Sequence, residues 1–347
     1  MSEFSSDLIL WYKDNKRDLP WRHTTDVYKV WVSEIILQQT RVNQGLNYYI
    51  NFLKEFPTVH HLAKANEDKV LKIWQGLGYY SRARNMHAAA KYVSDELNGV
   101  FPHSYDGLLK LKGIGSYTAA AISSICYNEH QTVVDGNVFR VLTRIYGIET
   151  PINTTIGKKQ IEALAHSLND GKEHGTFNQA LMEFGALHCT PKKPPCQSCV
   201  FKDKCWALQN KKVDILPVKE KKPKVKKRFL NFIVFTDKED QTVIQRRNGN
   251  DIWKGLYQYP LIETPHTILT PKLLGLEEFV DLTANQDINI ISEFTLNHLL
   301  THRHLVITVL SIRLDSLEHF KESKYQIVKT DRLNEFAFPK PLIGIFN

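Results

Sequence analysis

Four of the five cysteines in this chain are confined to one short segment, and this clustering constrains the fold more than any other feature. They are Cys189, Cys196, Cys199 and Cys205, spaced C-x6-C-x2-C-x5-C, directly after a helix-period stretch. Soft thiolate ligands suit either a [4Fe-4S] cluster or a tetrahedral zinc ion. Many zinc sites carry two C-x2-C pairs and this segment carries one, so spacing alone leaves both centres open. Either way, residues 189–205 are expected to form a loop around an inorganic centre.

Length and composition indicate a globular protein with more than one core. The chain has 347 residues, of which 42% are hydrophobic and 24% are charged, and it exceeds the usual size of a single domain. No apolar run is long enough to span a bilayer, and the N-terminus lacks the pattern of a signal peptide. We therefore expect a cytoplasmic protein with no membrane partner. In that reducing compartment, disulfides between the clustered cysteines are disfavoured.

The net charge of +8 is concentrated in one segment. Residues 211–228 contain nine Lys or Arg and two acidic residues, so they account for nearly all of the excess. A polyanionic partner such as nucleic acid would suit this charge, but a solvated linker is an equally good interpretation. Pro217, Pro223 and alternating Lys and Val make a packed core or a helix here unexpected.

Hydrophobic periodicity divides the chain into two parts on either side of this basic segment. The first part has helical periodicity interrupted by glycines, and the second has short β-branched and aromatic runs typical of strands. We predict an all-α domain over residues 1–210, a basic interdomain linker over 211–227, and an α+β domain over 228–347. The helical segments are Val27–Val42, Ile50–Phe56, Asn66–Trp74, Ala83–Glu96, Tyr117–Ile125 and Val138–Tyr146, and the strands are Phe229–Thr236, Thr242–Gln245 and Leu305–Leu314.

A tight turn precedes one of the predicted helices. Residues 111–121 read Leu-Lys-Gly-Ile-Gly-Ser-Tyr-Thr-Ala-Ala-Ala, with Gly113 and Gly115 in the turn. Two glycines allow the backbone to approach a ligand closely, and the N–H groups of the following helix favour phosphate. The same pattern also occurs in ordinary helix connections.

Two carboxylates carry candidate chemistry. Glu34 lies within the apolar segment Val30–Leu37, where burial would favour its protonated form and make it a general acid. Periodicity alone also allows Glu34 to lie on the solvated face of an amphipathic helix. Asp135 precedes Gly136 at the start of a predicted helix, where an ionised carboxylate could stabilise a positive charge. An N-cap is the structural alternative for Asp135, and the two roles are compatible.

Taken together, these motifs resemble those of the MutY-type adenine DNA glycosylases of the endonuclease III, helix-hairpin-helix superfamily. The cysteine spacing is similar to that of the superfamily's iron-sulfur loop, so one [4Fe-4S] cluster is the expected cofactor. Residues 111–115 resemble its hairpin, with Lys112 where proline is usual, and 133–138 resemble its aspartate motif. Residues 33–42 resemble the catalytic helix. The resemblance covers essentially the whole chain.

The resemblance also implies roles for individual residues. Glu34 would protonate adenine N7 and help to activate water, Asp135 would stabilise the positive sugar, and Tyr117 and Asn137 would support the sugar and the water. Because the target base must leave the duplex, Gln39, next to Thr40, would fill the vacated space. The adenine pocket of the family is matched by Arg22 and Glu183, and the region near the lesion by Leu77 and Tyr79. The hairpin is matched by Gly113 and Gly115.

Tyr117 distinguishes between two kinds of glycosylase. Bifunctional members of the superfamily carry a lysine nucleophile two positions after the second hairpin glycine, and here that position is Tyr117. A phenol cannot form an imine, so the resemblance implies a monofunctional enzyme. An endonuclease III-like pyrimidine glycosylase and lyase is the alternative, as is a non-catalytic DNA-binding or redox-sensing iron-sulfur protein. A non-catalytic DNA-binding or redox-sensing protein would not require both Glu34 and Asp135.

Residues 228–347 resemble the MutT-like, Nudix-fold domain of the same family. Trp253–Pro260 match a family stretch, but the acidic metal-binding helix of Nudix hydrolases is absent from the sequence that follows, so no pyrophosphatase is expected. Thr301 and His302 align with the loop that reads 8-oxoguanine, with threonine replacing serine and Leu300 replacing phenylalanine. The implied partner is duplex DNA with adenine opposite 8-oxoguanine or guanine. We expect a monomer in the bacterial cytoplasm, associated with the nucleoid.

Overall fold

A computed structural model of the chain describes residues 2–220, 226–300, 302–321 and 323–345. Thr301 and residues 221–225 of the predicted linker lie outside the described residues. The chain forms two compact units. The first comprises Met1–Lys64 and Asn85–Lys222, and the second comprises Ala65–Arg84 and Pro223–Asn347. Among the described residues, none of the helices has the length and apolar composition needed to cross a bilayer.

The first unit is helical throughout its described part, as predicted. Helix α6 (Ser81–Asp95) spans the division at residue 84. Short 3-10 turns lie at Pro20–Arg22, Cys196–Ser198 and Lys202–Lys204. The other helices of this unit are α1 (Glu3–Asn15), α2 (Val27–Leu37), α3 (Val42–Glu55), α4 (Val59–Lys64), α7 (Tyr105–Leu109), α8 (Ser116–Tyr127), α9 (Gly136–Tyr146), α10 (Thr155–Leu168), α11 (His174–Leu187) and α12 (Trp206–Gln209).

Capping residues place the ends of the helices that matter for the site. Asp26 caps α2 through the backbone N–H groups of Tyr28 and Lys29, and Asp135 caps α9 in the same way. The predicted helix Val27–Val42 is broken after Leu37, because Gln39 adopts a left-handed φ of 56° between α2 and α3. No glycine or proline marks this break in the sequence.

The core of the first unit packs α1, α9, α10 and α11 around large apolar side chains. Phe177 and Phe184 of α11 are at most 1% exposed and meet Leu8 of α1 in this cluster. Leu216 is only 2% exposed in the same core, and Val218 packs against it. The structure therefore differs from the expectation that the basic segment resists packing, since its first residues pack against the helices.

The second unit contains a mixed sheet with strand order β3-β2-β1-β6-β5, in which β4 also pairs with β1 and β7 with β2. The strands are β1 (Lys226–Thr236), β2 (Gln241–Arg246), β3 (Tyr257–Gln258), β4 (Leu261–Thr264), β5 (Asn289–Leu299), β6 (Arg303–Arg313) and β7 (Gln326–Lys329). The helices of this unit are α5 (Glu67–Ile73), α13 (Thr270–Leu274) and α14 (Glu277–Thr283), with 3-10 turns at Glu318–Phe320, Thr330–Glu335 and Lys340–Leu342.

Strand β1 explains why the centre of this sheet is buried on both faces. It runs parallel to β6 along its whole length, with Phe232 opposite Val309. Its side chains alternate, so that Leu230, Phe232 and Val234 belong to one core, whereas Ile233 and Phe235 belong to a core on the other face. The predicted α+β architecture is confirmed.

Candidate active site

A cavity of about 450 Å³ in the first unit collects most of the predicted chemical residues. Its wall is built by the end of α2, the first turn of α8, the N-terminus of α9 and one face of α11. The predicted residues that line it are Arg22, Glu34, Thr40, Tyr117, Asp135, Asn137 and Glu183. Gln39, by contrast, is exposed in the turn after α2 and is not part of this lining.

Glu34 lies on the buried face of α2 and is 9% exposed. Loss of solvent raises its pKa to about 7, the negative charge of Asp135 adds to the increase, and a hydrogen bond with Tyr117 opposes it. The solvated-face alternative for Glu34 is therefore wrong. A carboxyl with this pKa can be protonated near neutral pH and can also give up its proton.

Asp135 is both the N-cap of α9 and a wall of the cavity. Its Oδ1 accepts hydrogen bonds from the backbone N–H groups of Asn137 and Val138, each at 2.8 Å. Its Oδ2 accepts from Nδ2 of Asn137, also at 2.8 Å. Burial raises the pKa of Asp135 above its ordinary value, and these hydrogen bonds and the charge of Arg140 offset only part of that increase. All of these donors favour the ionised carboxylate.

A buried arginine connects this carboxylate to the cysteine segment. Arg140 is 9% exposed, and its Nη2 donates to Oδ1 of Asn137 at 2.8 Å and to the Gly185 carbonyl at 2.7 Å. Its Nε donates to the carbonyl oxygen of Cys189 at 2.8 Å. Asn137 is thus fixed between Asp135 and Arg140, which determines the direction of its amide.

Glu183 is at the centre of an ion cluster at the opposite wall. Arg22 donates to both of its carboxylate oxygens, at 2.8 and 2.6 Å, and Arg17 donates to the same pair at 2.9 and 2.6 Å. Burial raises the pKa of Glu183, but the hydrogen bonds from the two arginines outweigh it and lower the pKa to about 2. Arg17, like Arg140, was not among the residues predicted from sequence.

The predicted hairpin turn lies between α7 and α8. Gly113 has a φ of +83°, and a Cβ there would lie 2.6 Å from Cβ of Asn85, so glycine is required. A Cβ at Gly115 would meet nothing within 4 Å. Gly115 is the N-cap of α8 without a side-chain cap, and Lys112, Gly113 and Gly115 are exposed. The first N–H groups of α8 are therefore accessible to an anion.

The remaining predicted recognition residues lie in the second unit. Leu77, Tyr79 and His302 line a cavity of about 530 Å³ together with Trp253 and Leu300. Tyr79 is 47% exposed and has a left-handed φ of 48°. Thr301, the predicted lesion-reading residue, lies outside the described residues, so the structure does not describe its side chain.

The four predicted cysteine ligands line one pocket in the first unit. Among the described residues, no group of three or more His, Cys, Asp or Glu is close enough to hold a single ion. The four thiols share the lining of this pocket. Nε2 of His188, also in this wall, is buried without a hydrogen-bond partner in the described protein.

Arg144 holds the cysteine segment against α9. It is 2% exposed, and its Nη1 donates to the Thr190 carbonyl at 2.7 Å and approaches Sγ of Cys189 at 3.5 Å. Its Nε donates to the carbonyl of Leu216 at 3.1 Å. No sequence pattern pointed to Arg144, because its partners are far away along the chain.

Comparisons with known proteins agree with this architecture. Residues 32–168 match the family model described as HhH-GPD superfamily base excision DNA repair protein, and residues 231–347 match the NUDIX domain. The adenine DNA glycosylase of Buchnera aphidicola subsp. Schizaphis graminum is 33% identical, over 98% of this chain and 96% of the relative. This chain belongs to the adenine DNA glycosylase family. The human adenine DNA glycosylase is 42% identical over 60% of this chain and 40% of its own length.

Solved structures extend the family comparison to the fold of the helical part. A thermostable thymine-DNA glycosylase matches with a TM-score of 0.55 and 29% identity, over 60% of this chain and 95% of the other. A trapped endonuclease III–DNA covalent intermediate matches with a TM-score of 0.52 and 20% identity, over 60% and 94% of the chains. At that identity the second match shows the fold alone. The predicted membership of the helix-hairpin-helix superfamily is confirmed.

Proposed function

We propose that this chain excises adenine opposite 8-oxoguanine or guanine in duplex DNA by hydrolysing the N-glycosidic bond, as a step of base excision repair. The observation that carries the proposal is the pair Glu34 and Asp135 in one cavity, with the pKa of Glu34 raised to about 7. Two carboxyl groups held in different environments can act as an acid and as a charge stabiliser at the same pH.

In this proposal Glu34 transfers its proton to N7 of adenine as the bond from the base to the sugar breaks. The bonding electrons leave with the base, and the sugar becomes an oxocarbenium ion that ionised Asp135 stabilises. Glu34, now a carboxylate, accepts a proton from the water that attacks the sugar. Asn137 and Tyr117, which hydrogen-bond to these two acids, support the sugar and the water.

Adenine reaches these groups only after it leaves the duplex. A cavity of about 450 Å³ is large enough for a purine, and Arg22, Glu183 and Thr40 form part of its wall. We propose that Gln39, exposed in the turn after α2, fills the space that the base vacates. The absence of an amine at Tyr117 supports a monofunctional glycosylase.

DNA binding is proposed to use the uncapped start of α8 and a surface of the second unit. Gly113 and Gly115 leave the N–H groups of α8 open to a phosphate. Leu77, Tyr79 and His302 line the cavity that we assign to the base opposite adenine. The mixed sheet beneath this cavity would then recognise DNA without hydrolysing a nucleotide.

The donor set of the cysteine pocket fits one [4Fe-4S] cluster, held by Cys189, Cys196, Cys199 and Cys205. Four thiols surround one space, with Arg144 beside Cys189 to offset negative charge. When bound, the cluster would supply a rigid, redox-active centre to this loop. The exposed Lys192 and Lys193 could meet phosphates there, or serve solubility alone.

The remaining features of the proposal follow the same family pattern. We propose domains over residues 1–210 and 228–347, joined by 211–227, in a monomer that acts at the nucleoid in the bacterial cytoplasm. The basic segment would either contact phosphates or remain solvated.

The decisive experiment uses a duplex containing adenine opposite 8-oxoguanine. The protein should release adenine and leave an abasic site that needs hot alkali to cleave. Glu34→Gln should abolish excision while retaining tight binding to the same duplex. Release of an oxidised pyrimidine, or direct strand cleavage, would refute the proposal. Purified protein should be brown, and a colourless preparation with one zinc ion per chain would refute the cluster.

A further inference from the structure

The hydroxyl group of Tyr117 has two hydrogen-bond partners in the active-site cavity. It donates to Sδ of Met182 at 3.3 Å, and it also forms a hydrogen bond with Glu34. Met182 lies on α11, directly before Glu183, and lines the same cavity. A phenol carries a single proton, so it can donate to one of these partners at a time.

The protonation state of Glu34 decides which partner receives that proton. An ionised carboxylate is only an acceptor, so it takes the phenolic proton. A protonated carboxyl can instead donate to the phenol oxygen, which releases the phenolic proton for another acceptor. The thioether sulfur of Met182 is an acceptor at the required position.

We propose that Met182 is a positioning residue for the general acid: its sulfur accepts the phenolic proton of Tyr117 and thereby keeps Glu34 in its protonated form. The inference rests on the proposed role of Glu34. It gives Met182 a chemical task within the active-site cavity. Glu34, Tyr117 and Met182 thus form a chain of three hydrogen-bonded side chains.

The charged groups around Glu34 are consistent with this arrangement. Asp135 at the start of α9 raises the pKa of Glu34, and hydrogen bonding from Tyr117 on α8 lowers it. Diverting the phenolic proton to Met182 removes part of that lowering. The other titratable groups that line the cavity or interact with Glu34 are Arg17, Arg22, Arg41, Glu183 and Cys126. Arg17 and Arg22 both donate to Glu183.

A weak acceptor suits a proton that must move during the reaction. Once Glu34 has given its proton to the base, Tyr117 must donate to the new carboxylate. Breaking a hydrogen bond to a thioether costs little, so the phenol can turn back to Glu34 without a large penalty. A carboxylate in place of Met182 would hold the phenolic proton too firmly.

The test is the pH dependence of single-turnover adenine excision by Met182→Leu, which removes the sulfur and keeps an apolar side chain. Below about pH 6 the rate should match that of the natural protein, because Glu34 is protonated in both. The basic limb of the pH profile is the range in which the rate falls as Glu34 loses its proton, and it should move to lower pH in Met182→Leu. At about pH 8 the rate should therefore be roughly two- to five-fold lower than that of the natural protein. Met182→Gln, which restores an acceptor, should move the limb back.

Met86→Leu is the matched control, since Met86 on α6 is 2% exposed and does not line this cavity. Its pH profile should be unchanged. An unshifted limb in Met182→Leu, or an equal loss at every pH, would overturn the inference alone. If the rate of the natural protein did not fall on the basic side of its pH profile, the proposed function of Glu34 would fail as well.

A second measurement avoids dependence on the folding of Met182→Leu. The chain has three methionines, Met1, Met86 and Met182. Replacing all of them by norleucine removes each sulfur while keeping the length of the side chain. The norleucine protein should show the same displacement of the basic limb as Met182→Leu, and a natural profile in it would overturn the inference.

Discussion

The two cavities assigned to the DNA bases are built in different ways. In the first unit, Glu34, Asp135 and Glu183 are all held by hydrogen bonds from neighbouring side chains or backbone, and Glu183 is 1% exposed. In the second unit, Tyr79 is 47% exposed and Leu299 is 73% exposed at the cavity wall. Chemistry requires groups that are oriented before the substrate arrives, whereas a recognition surface can be completed by its ligand.

The backbone supports the same distinction. Two loops that line the second cavity contain left-handed residues, with φ of 48° at Tyr79 and 61° at Trp253. Left-handed non-glycine residues cost energy and concentrate where a side chain must be aimed at a ligand. In the first cavity the carboxylates are instead carried by helix α2 and the capped end of α9. The carboxylates of the first cavity are thus positioned by helices, whereas the recognition residues of the second lie in strained turns.

After Glu34→Gln, Asp135→Asn should give the largest loss of excision. Asparagine can still cap α9, so the fold should persist, but the charge that we propose stabilises the sugar cation is lost. We expect single-turnover excision to fall by about 10²- to 10⁴-fold. Asp26→Asn is the matched control, because Asp26 caps α2 in the same way from a side chain that is 46% exposed. Equal losses in the two variants would mean that removing the charge of any helix-capping carboxylate has this effect, and that Asp135 has no special role beside the sugar.

Glu183→Gln should destabilise the first unit. It leaves Arg22, whose side chain is 9% exposed, and Arg17 without their shared negative partner. We expect the free energy of unfolding in chemical denaturation to fall by about 3 kcal/mol. The control is Glu263→Gln in the second unit, where the carboxylate paired with Arg228 is 42% exposed. There the free energy of unfolding should fall by less than about 1 kcal/mol. A similar fall in both variants would mean that the buried and the exposed ion pair do not differ in their contribution to stability.

Glu34 should make stability depend on pH. Its pKa is about 7 in the folded protein against an ordinary value of 4.5, so folding favours the protonated form. The stability that this provides is complete below pH 4.5 and is lost as pH rises through 7, to a total of about 3 kcal/mol. Glu34→Gln is neutral at every pH and should not show this loss.

Measuring unfolding of the natural protein and of Glu34→Gln at several pH values tests this directly. The difference in free energy between them should change in favour of Glu34→Gln as pH increases from about 5 to 8. A constant difference would mean that Glu34 is not desolvated in solution. The inactive variant would thus be the more stable protein at high pH, which is expected when an active-site acid is buried at a cost.

The sequence predicted the two-part architecture and most of the first cavity, because periodicity and short motifs are local signals. It could not find Arg17 or Arg140, since the partners Glu183 and Cys189 are far away along the chain. The turn at Gln39 was also missed, because Gln-Gln-Thr contains no residue that usually ends a helix. Periodicity alone favoured solvent exposure for Glu34, and the resemblance to a family reversed that interpretation.

The smallest effect is expected from Tyr79→Ala in the second cavity. A half-exposed ring can stack on a base, and such stacking contributes about 1–3 kcal/mol. We therefore expect the affinity for a duplex with 8-oxoguanine opposite adenine to fall about five- to tenfold. The free energy of unfolding should change little, because the side chain is 47% exposed. Tyr92→Ala is the control, since Tyr92 is 50% exposed on α6 and lies outside this cavity. If Tyr79→Ala instead slowed excision under single-turnover conditions without changing the affinity for this duplex, the division between a chemical and a recognition cavity would be wrong.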